Sequence, residues 1–352
     1  MKVLVLNPGA TSTKISIFEE ENEVFKTNLV HHAADLAPYA HVIDQGPFRK
    51  QLILETVEKA GYQMTDFDAV CGRGGLLRHI PSGTYAVSDQ AIADVLDPPY
   101  GEHASNLGVL LARELGDMAG IPSFFVDPVC VDEMTPVAHV TGFKGMERES
   151  FFHALNQKSI ARKAAKLLGK TYEEARLIVI HMGGGVSVAA HENGLAVDDF
   201  NVKDEGAFGM DRAGSLPVNA MINLCFSGLT KQEVKKLLGS EAGAYSYVGT
   251  KDFREVERRA FEENDPDCRM VFDAMAYQLA KDIGAMAAVL KFQVDAIVYT
   301  GGMAYSDRFT QAITDYVGNL APVLRLPGEE EMRSLAEGAL RVLHGEQAKV
   351  SP

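Results

Sequence analysis

The chain opens on an unbroken apolar run, Val3-Leu4-Val5-Leu6, crosses a small polar turn, Asn7-Pro8-Gly9-Ala10-Thr11-Ser12-Thr13-Lys14, and resumes as an alternation, Ile15-Ser16-Ile17-Phe18. A buried run and a period-two pattern on either side of a short turn predict a strand–turn–strand hairpin. The same order returns downstream in Leu177-Ile178-Val179-Ile180, His181-Met182-Gly183-Gly184-Gly185 and Val186-Ser187-Val188-Ala189-Ala190. Further strand patterns fall at 23–30, 68–72, 84–88, 122–127, 195–200 and 295–300. Helical spacing predicts helices over 41–61, 104–120, 151–169, 217–226, 230–238, 253–262, 266–291 and 329–344. In the 266–291 segment Phe272, Met275, Ala276, Leu279, Ile283 and Met286 share one face, so its methionines read as core filler. Strands mixed with helices define an α/β chain, and the repeated hairpin suggests a duplicated fold.

Length and charge narrow the picture. At 352 residues the chain exceeds one ordinary core and predicts two domains. A net charge of −14 disfavours nucleic acid as the main partner, because such binding needs a basic surface that displaces counterions. No stretch approaches the roughly 20 apolar residues of a membrane span, and the N-terminus reads at once as a strand, not as a signal peptide. A cytoplasmic protein without membrane association is expected. Cys71, Cys130, Cys225 and Cys268 form no C-x-x-C pair, and read as small buried hydrophobes, not a zinc site or disulfide framework.

The turns carry the first chemical signal. Phosphate oxygens need several donors at short range, and glycines let backbone N–H groups approach without an intervening Cβ. Hydroxyls and Lys14 add to that in the first turn. Neither turn opens a helix, which separates both from the P-loop and from the dinucleotide G-x-G-x-x-G motif. Four polar residues stand where the neighbouring pattern implies strand ends or tight turns. Arg73 and Arg212 are flanked by glycines, and a planar guanidinium pairs bidentately with carboxylate or phosphate, although loop arginines are also common. Asp127 ends an apolar strand, where it suits a magnesium-bridged phosphate or simply starts the turn at Pro128. His153 beside Phe151 and Phe152 reads equally as a functional or a core histidine. The strand at 295–300 runs into Gly301-Gly302-Met303, a glycine turn of the kind that admits ligands at a sheet edge.

These segments, with His103-Ala-Ser-Asn106, Asp211-Arg-Ala-Gly-Ser-Leu-Pro217 and Ala336-Glu-Gly-Ala339, occur in an order that resembles the acetate/butyrate kinase family, most of all its butyrate kinases, within the actin-like ATPase and sugar-kinase superfamily. The resemblance implies duplicated ribonuclease-H-like domains with an interdomain nucleotide cleft, residues 1–150 plus a returning 326–352 forming one and 151–325 the other. It implies reversible in-line transfer from ATP to butyrate, giving butyryl phosphate and ADP, with Mg2+ and a homodimer or an assembly of dimers. By the same resemblance Arg73, His153, Arg212 and Asn7 carry catalysis. Thr11, Ser12, Lys14, His181, Gly183, Gly184, Gly185, Gly301, Gly302 and Met303 meet the phosphates or nucleotide, Arg73, Gly75, His103 and Phe152 the acid, and Asp127 and Glu337 the metal. Two departures from acetate kinases stand out. Gly184 replaces an Asn, leaving backbone to hold the nucleotide there. Gly75 replaces a branched apolar residue, which predicts extra room for a longer acid at roughly 0.8 kcal/mol per buried methylene. Acetate, propionate or isobutyrate as acceptor, a sugar kinase, and a non-catalytic nucleotide sensor are the alternatives.

Overall fold

The structure is a computed structural model that describes residues 1–346 and 348–350. The chain divides into two compact units, one of Met1–Asp132, Ala154–Asn156 and the chain from Glu330 onward, the other of Glu133–His153 and Gln157–Glu329.

In the first unit β1 (Lys2–Pro8), β2 (Ser12–Glu19), β3 (Asn22–Val30), β4 (Ala69–Arg73), β5 (Thr84–Ala86) and β6 (Ser123–Val126) form one sheet in the order β5-β6-β4-β1-β2-β3, with Lys349–Val350 added beside β5. The β1–β2 and β2–β3 pairs are antiparallel, whereas β4 lies parallel to both β1 and β6. The opening apolar run is continuous because both of its faces are covered. Val3 and Val5 pack with Leu335, Ala336 and Ala339 of helix Glu331–Leu343. Leu4 and Leu6 pack with Ile53 and Val57 of helix Gly46–Lys59 and with Leu107, Leu111 and Leu115 of helix Asn106–Ala119. Strand alternation thus feeds two cores from four consecutive residues.

The second unit repeats the plan with β7 (Leu177–Met182), β8 (Val186–Glu192), β9 (Leu195–Phe200), β10 (Ala296–Thr300) and β11 (Val323–Arg325), ordered β11-β10-β7-β8-β9. Again the first two pairs are antiparallel, and β10 is parallel to β7 and β11. The run β3-β2-β1-β4-β6 of the first sheet thus matches β9-β8-β7-β10-β11 of the second in order and strand direction, with β5 an added antiparallel strand beyond β6, and the duplication read from the two hairpins is present. Ile178 and Ile180 face Phe272, Met275, Leu279 and Ile283 of helix Pro266–Val289, while Leu177 and Val179 face Ile160, Ala161 and Ala164 on helix Ala154–Leu167.

Some expectations change. Residues 133–150 group with the second unit, where the Thr135 N–H donates to the Val197 carbonyl at 3.0 Å and Arg148 pairs with Asp198 at 2.8 Å and Glu205 at 2.9 Å. Cys71, Cys130 and Cys268 are buried, but Cys225 is exposed. Helices Asp89–Leu96, Gly243–Val248 and Asp307–Val317 and strand β11 had not been read from the sequence.

Beside Arg148, the Asp199 carboxyl is buried, accepts from the Ser150 hydroxyl at 2.6 Å through Oδ2, and has no partner for Oδ1 among the described residues. Burial pushes it up to about 7, against the Ser150 bond and with help from the Glu205 charge. Burial likewise raises Asp282 to about 6, although its Oδ2 accepts from the Ala207 N–H at 2.6 Å. A carboxyl whose folded value lies above its unfolded one keeps its proton longer in the folded chain. Its contribution is complete below about pH 4 and is lost as pH rises through 6 and 7. Melting temperature should fall between about pH 4 and pH 7, and Asp199→Asn should flatten that fall by a term on the order of 4 kcal/mol. Identical slopes for the two proteins in a calorimetric pH series would refute the assignment.

Candidate active site

Asn7 near the end of β1 and Arg73 at the end of β4 stand on neighbouring parallel strands, and both reach Glu331, the first residue of the last long helix. Asn7 Nδ2 donates to Glu331 Oε2 at 2.7 Å, Arg73 Nη2 lies 2.9 Å from Oε1, and Arg73 Nη1 donates to Oε2 at 3.2 Å and to Asn7 Oδ1 at 3.3 Å. Glu331 is buried while Arg73 is partly exposed, and the carboxylate also suits the positive end of its helix. Sequence reading selected Glu337 in place of Glu331. Six residues further on, roughly 240° around the helix, Glu337 instead lines a separate cavity of ≈ 430 Å³ with Glu20, Glu21, Arg341 and His344. Burial raises its pKa there. Glu337 is therefore not brought together with Asn7 and Arg73, and Glu331 is.

Asp127 follows β6 with φ of +38°, a left-handed conformation that strains a residue carrying a side chain. Its Oδ1 accepts from the Ser82 hydroxyl at 2.6 Å and the Gly83 N–H at 2.7 Å. The carboxylate is thus fixed in direction by a turn on the neighbouring strand connection. Among the described residues no group of three or more His, Cys, Asp or Glu could hold a metal ion by itself. A magnesium ion brought by nucleotide phosphates needs only one or two protein carboxylates, so Asp127 and Glu331 fit such an ion as donors.

The first turn is closed by the Gly9 N–H donating to the Ser12 carbonyl at 2.7 Å. Behind it lies Arg49, 1% exposed, whose Nη1 donates to the carbonyls of Gly9 at 2.8 Å and Ser12 at 3.0 Å and whose Nη2 donates to that of Ala10 at 3.3 Å. Carbonyl oxygens repel an anion, and Arg49 gathers them on the inner side of the turn. Thr11 and Lys14 are exposed and Ser12 is half-buried. Sequence reading missed Arg49, yet a signal existed, since Arg49, Ile53 and Val57 recur at the four-residue spacing of a buried helix face.

Gly75 does not open space. A Cβ built there would lie 2.0 Å from Asn106 Oδ1 and 2.6 Å from the Asn106 backbone nitrogen. Asn106 begins its helix and accepts the Leu76 N–H at 2.8 Å. The missing side chain is replaced by packed protein, which removes the argument for a longer acid. His103 lies just before the same helix with Nδ1 2.7 Å from Ser105 Oγ.

In the second unit the equivalent turn is closed by the Gly183 N–H and the Gly185 carbonyl at 3.0 Å. Gly183 and Gly184 line a cleft of ≈ 940 Å³ together with Gly302, Met303, Lys251 and Tyr305. Gly301 lies beneath it with φ of +84°, and a Cβ there would meet the Met182 carbonyl oxygen at 2.4 Å. A Cβ at Gly184 would meet nothing within 4 Å, so its neighbours do not require glycine. Arg212 lies against the turn, its Nη1 2.8 Å from where a Cβ of Gly185 would stand. Lys251, Arg254, Glu257 and Tyr305, which also line the cleft, carry no motif that sequence reading had singled out.

His153 caps helix Ala154–Leu167, and its ring stacks on that of His181 with centroids 3.8 Å apart and planes 14° apart. His181 is buried with Nε2 3.4 Å from Glu329 Oε1. Phe152 is fully buried and meets His191 edge-on at 6.5 Å, so it packs the interior. Among the described residues no helix is long and apolar enough to cross a membrane.

Two sheets that share a five-strand arrangement, each beginning with a small-residue hairpin, define the actin-like ATPase fold. Solved structures agree. The chain is 21% identical to an acetate kinase from Porphyromonas gingivalis, covering 97% of this chain and 99% of that one with a TM-score of 0.81. It is 16% identical to a propionate kinase from Francisella tularensis subsp. tularensis SCHU S4, covering 96% and 98% with a TM-score of 0.76. A ROK hexokinase from Thermus thermophilus shares 15% identity over 97% and 100% with a TM-score of 0.50. The sequence model of the acetokinase family matches residues 143–324, just over half of the chain, and the chain belongs to that family. It is accordingly a carboxylate kinase, of a family that uses ATP with a divalent metal.

Proposed function

We propose that the chain transfers the γ-phosphoryl group of ATP directly to a short-chain carboxylate, with butyrate as its preferred acid. The observation that carries the transfer reading is Arg212, a guanidinium held against the glycine turn of the cleft that forms no ion pair among the described residues. An uncompensated cation at such a turn suits a phosphoryl group whose oxygens gather negative charge. In the step, a carboxylate oxygen forms the new bond to phosphorus while the bond to the ADP oxygen breaks. No proton is removed from the acceptor, so no base is required. Arg73 and Asn7 address the acid, His153 donates to the transferring group, and the glycines at 183–185 and 301–302, with Met303, receive the nucleotide. Thr11, Ser12 and Lys14 contribute donors at the first turn. Asp127 and Glu331 would hold the magnesium ion or its waters, the ion supplying charge neutralisation. Because ATP is the donor, the reaction belongs in the cytoplasm.

Butyrate rests on the sequence resemblance alone, now that Gly75 no longer supports it. The test is to trap acyl phosphate as its hydroxamate with ATP, Mg2+ and, in turn, acetate, propionate, butyrate and isobutyrate. The highest kcat/KM with butyrate is expected. A preference for acetate would overturn the acid and keep the class, and no product from any acid would favour a nucleotide sensor.

The homodimer reading has a matching surface. Val218, Ile222 and Phe226 recur every four residues along and just beyond helix Val218–Cys225 and are 73%, 50% and 86% exposed. A second copy of the chain is the proposed cover. Light scattering should give a dimer for the wild type and a monomer for Ile222→Asp with Phe226→Asp, whereas a monomeric wild type would discard this reading.

A further inference from the structure

A chain of buried polar groups runs inward from His153, and hydrogen-bond direction can be followed along it from Gln157. Gln157 Nε2 donates to the Ser187 carbonyl at 3.1 Å and to Ser187 Oγ at 2.9 Å. A carbonyl only accepts, so the amide orientation of Gln157 is fixed and both of its protons are committed. Gln157 Oε1 then faces His191 Nε2 at 3.1 Å, which must carry a hydrogen. His191 is fully buried, and burial, with Lys158 and Arg162 nearby, holds it well below the ordinary histidine range. It is therefore neutral, and its Nδ1 accepts from the Tyr172 hydroxyl at 2.7 Å.

The other end of the chain follows. Ser187 Oγ receives the Gln157 amide and, at 3.3 Å, the backbone N–H of His153. Both of its lone pairs are occupied, so its own hydrogen points at His153 Nδ1, 2.8 Å away. Nδ1 is thus an acceptor. An imidazolium, or the opposite tautomer, would bring a third donor to Ser187 Oγ.

We propose that Gln157 is a positioning residue that fixes His153 as a neutral imidazole carrying its hydrogen on Nε2. Combined with the proposed phosphoryl transfer, on which this half of the inference rests, His153 gives the transferring group a directed hydrogen bond, and positive charge comes from Arg212. The helix explains the economy of the device, because His153 and Gln157 are four residues apart and lie on one face. The Gln157 N–H also closes the first turn by donating to the His153 carbonyl at 2.8 Å.

The direct test is the ring 15N spectrum of the full chain at about pH 7.5, above the ordinary histidine value of about 6.5, with the His153 signals assigned by their loss in His153→Gln. An unprotonated Nδ1 and a protonated Nε2 are expected. A protonated Nδ1 in the wild type would overturn the proposal outright. Gln157→Glu, which can only accept, should turn the Ser187 hydroxyl toward residue 157 and place a hydrogen on His153 Nδ1. Should that variant fail to fold, Ser187→Ala removes the same constraint. An unchanged His153 spectrum in the folded variant would overturn the role of Gln157. In the hydroxamate assay Gln157→Glu should lower kcat on the order of 10²-fold, with KM for ATP within about twofold. Unchanged kcat despite a reversed tautomer would overturn the functional half. If the wild type makes no acyl phosphate, the kinase reading fails while the spectrum still decides the tautomer.

Discussion

Arg212→Ala is expected to lower kcat for acyl phosphate formation by about 10²–10³-fold with little loss of stability. Arg212 Nη1 has one long hydrogen bond, to the Val202 carbonyl at 3.4 Å, and no carboxylate within ion-pair reach among the described residues. The loop that carries it is nevertheless fixed. The Gly209 N–H donates to the Arg212 carbonyl at 3.1 Å, and the Ala213 N–H donates to that of Leu238 at 3.0 Å. Gly243, at φ of +59°, fits below because a Cβ there would lie 2.3 Å from the Gly209 carbonyl oxygen. A charge held in place without a neutralising partner is preorganised for an anion, and its removal strands no charged group, only the long bond to the Val202 carbonyl. The melting temperature should therefore change little, by the equivalent of about 0.5 kcal/mol. Arg212→Lys should recover only part of the rate, since a point charge replaces a planar fork. Arg73 provides the contrast. Its loss would strand the buried Glu331 carboxylate, so Arg73→Ala should damage folding as well as turnover. Near-normal turnover by a folded Arg212→Ala protein in the hydroxamate assay would remove Arg212 from the site.

The sequence made the frame of the molecule legible because buried central strands leave continuous apolar runs. Val3 to Leu6 and Leu177 to Ile180 are such runs, and the hairpins beside them expose the duplication. Shorter elements left less to read. Strand Val323–Arg325 has three residues, and helix Asp307–Val317 shows only the Ser306 cap and the spacing of Phe309, Ile313 and Val317. For the site, isolated residues were visible where their surroundings were unusual, as with Arg73 between glycines. Their partners were not visible, because an ion pair such as Arg73 with Glu331 joins positions 258 apart, and no local spacing distinguishes Glu331 from Glu337. Arg49 was hidden for another reason, since a helix of mixed composition does not announce that its arginine faces inward. The relay from His153 to Tyr172 depends on hydrogen-bond direction, which spacing does not encode.

Gly75→Val is expected to destabilise the chain by about 3 kcal/mol or more without changing the order of acid preference. The residue faces the first turn of helix Asn106–Ala119 at a distance that only hydrogen can fill. Its Cβ would stand 2.6 Å from the Asn106 nitrogen and 2.7 Å from the Asn106 Cα, both backbone atoms that cannot swing aside. The same strand and helix meet again nearby, where a Cβ on Gly72 would lie 1.9 Å from the Gly108 carbonyl oxygen and one on Gly108 would lie 2.3 Å from that of Arg73. A side chain at 75 would push on a seam that also sets the position of Arg73. Even Gly75→Ala places an atom 2.0 Å from Asn106 Oδ1, the acceptor of the Leu76 N–H, so alanine should already lower the melting temperature clearly. The competing view, that glycine at 75 leaves room for a longer acid, makes the opposite forecast. On that view the substituted protein folds as well as the wild type and shifts its kcat/KM from butyrate toward acetate. A thermal melt and the four-acid comparison on the same preparation separate the two. A stable Gly75→Ala protein with a shortened acid preference would restore the pocket interpretation, whereas a destabilised one with unchanged preference would establish Gly75 as the point where strand and helix must touch.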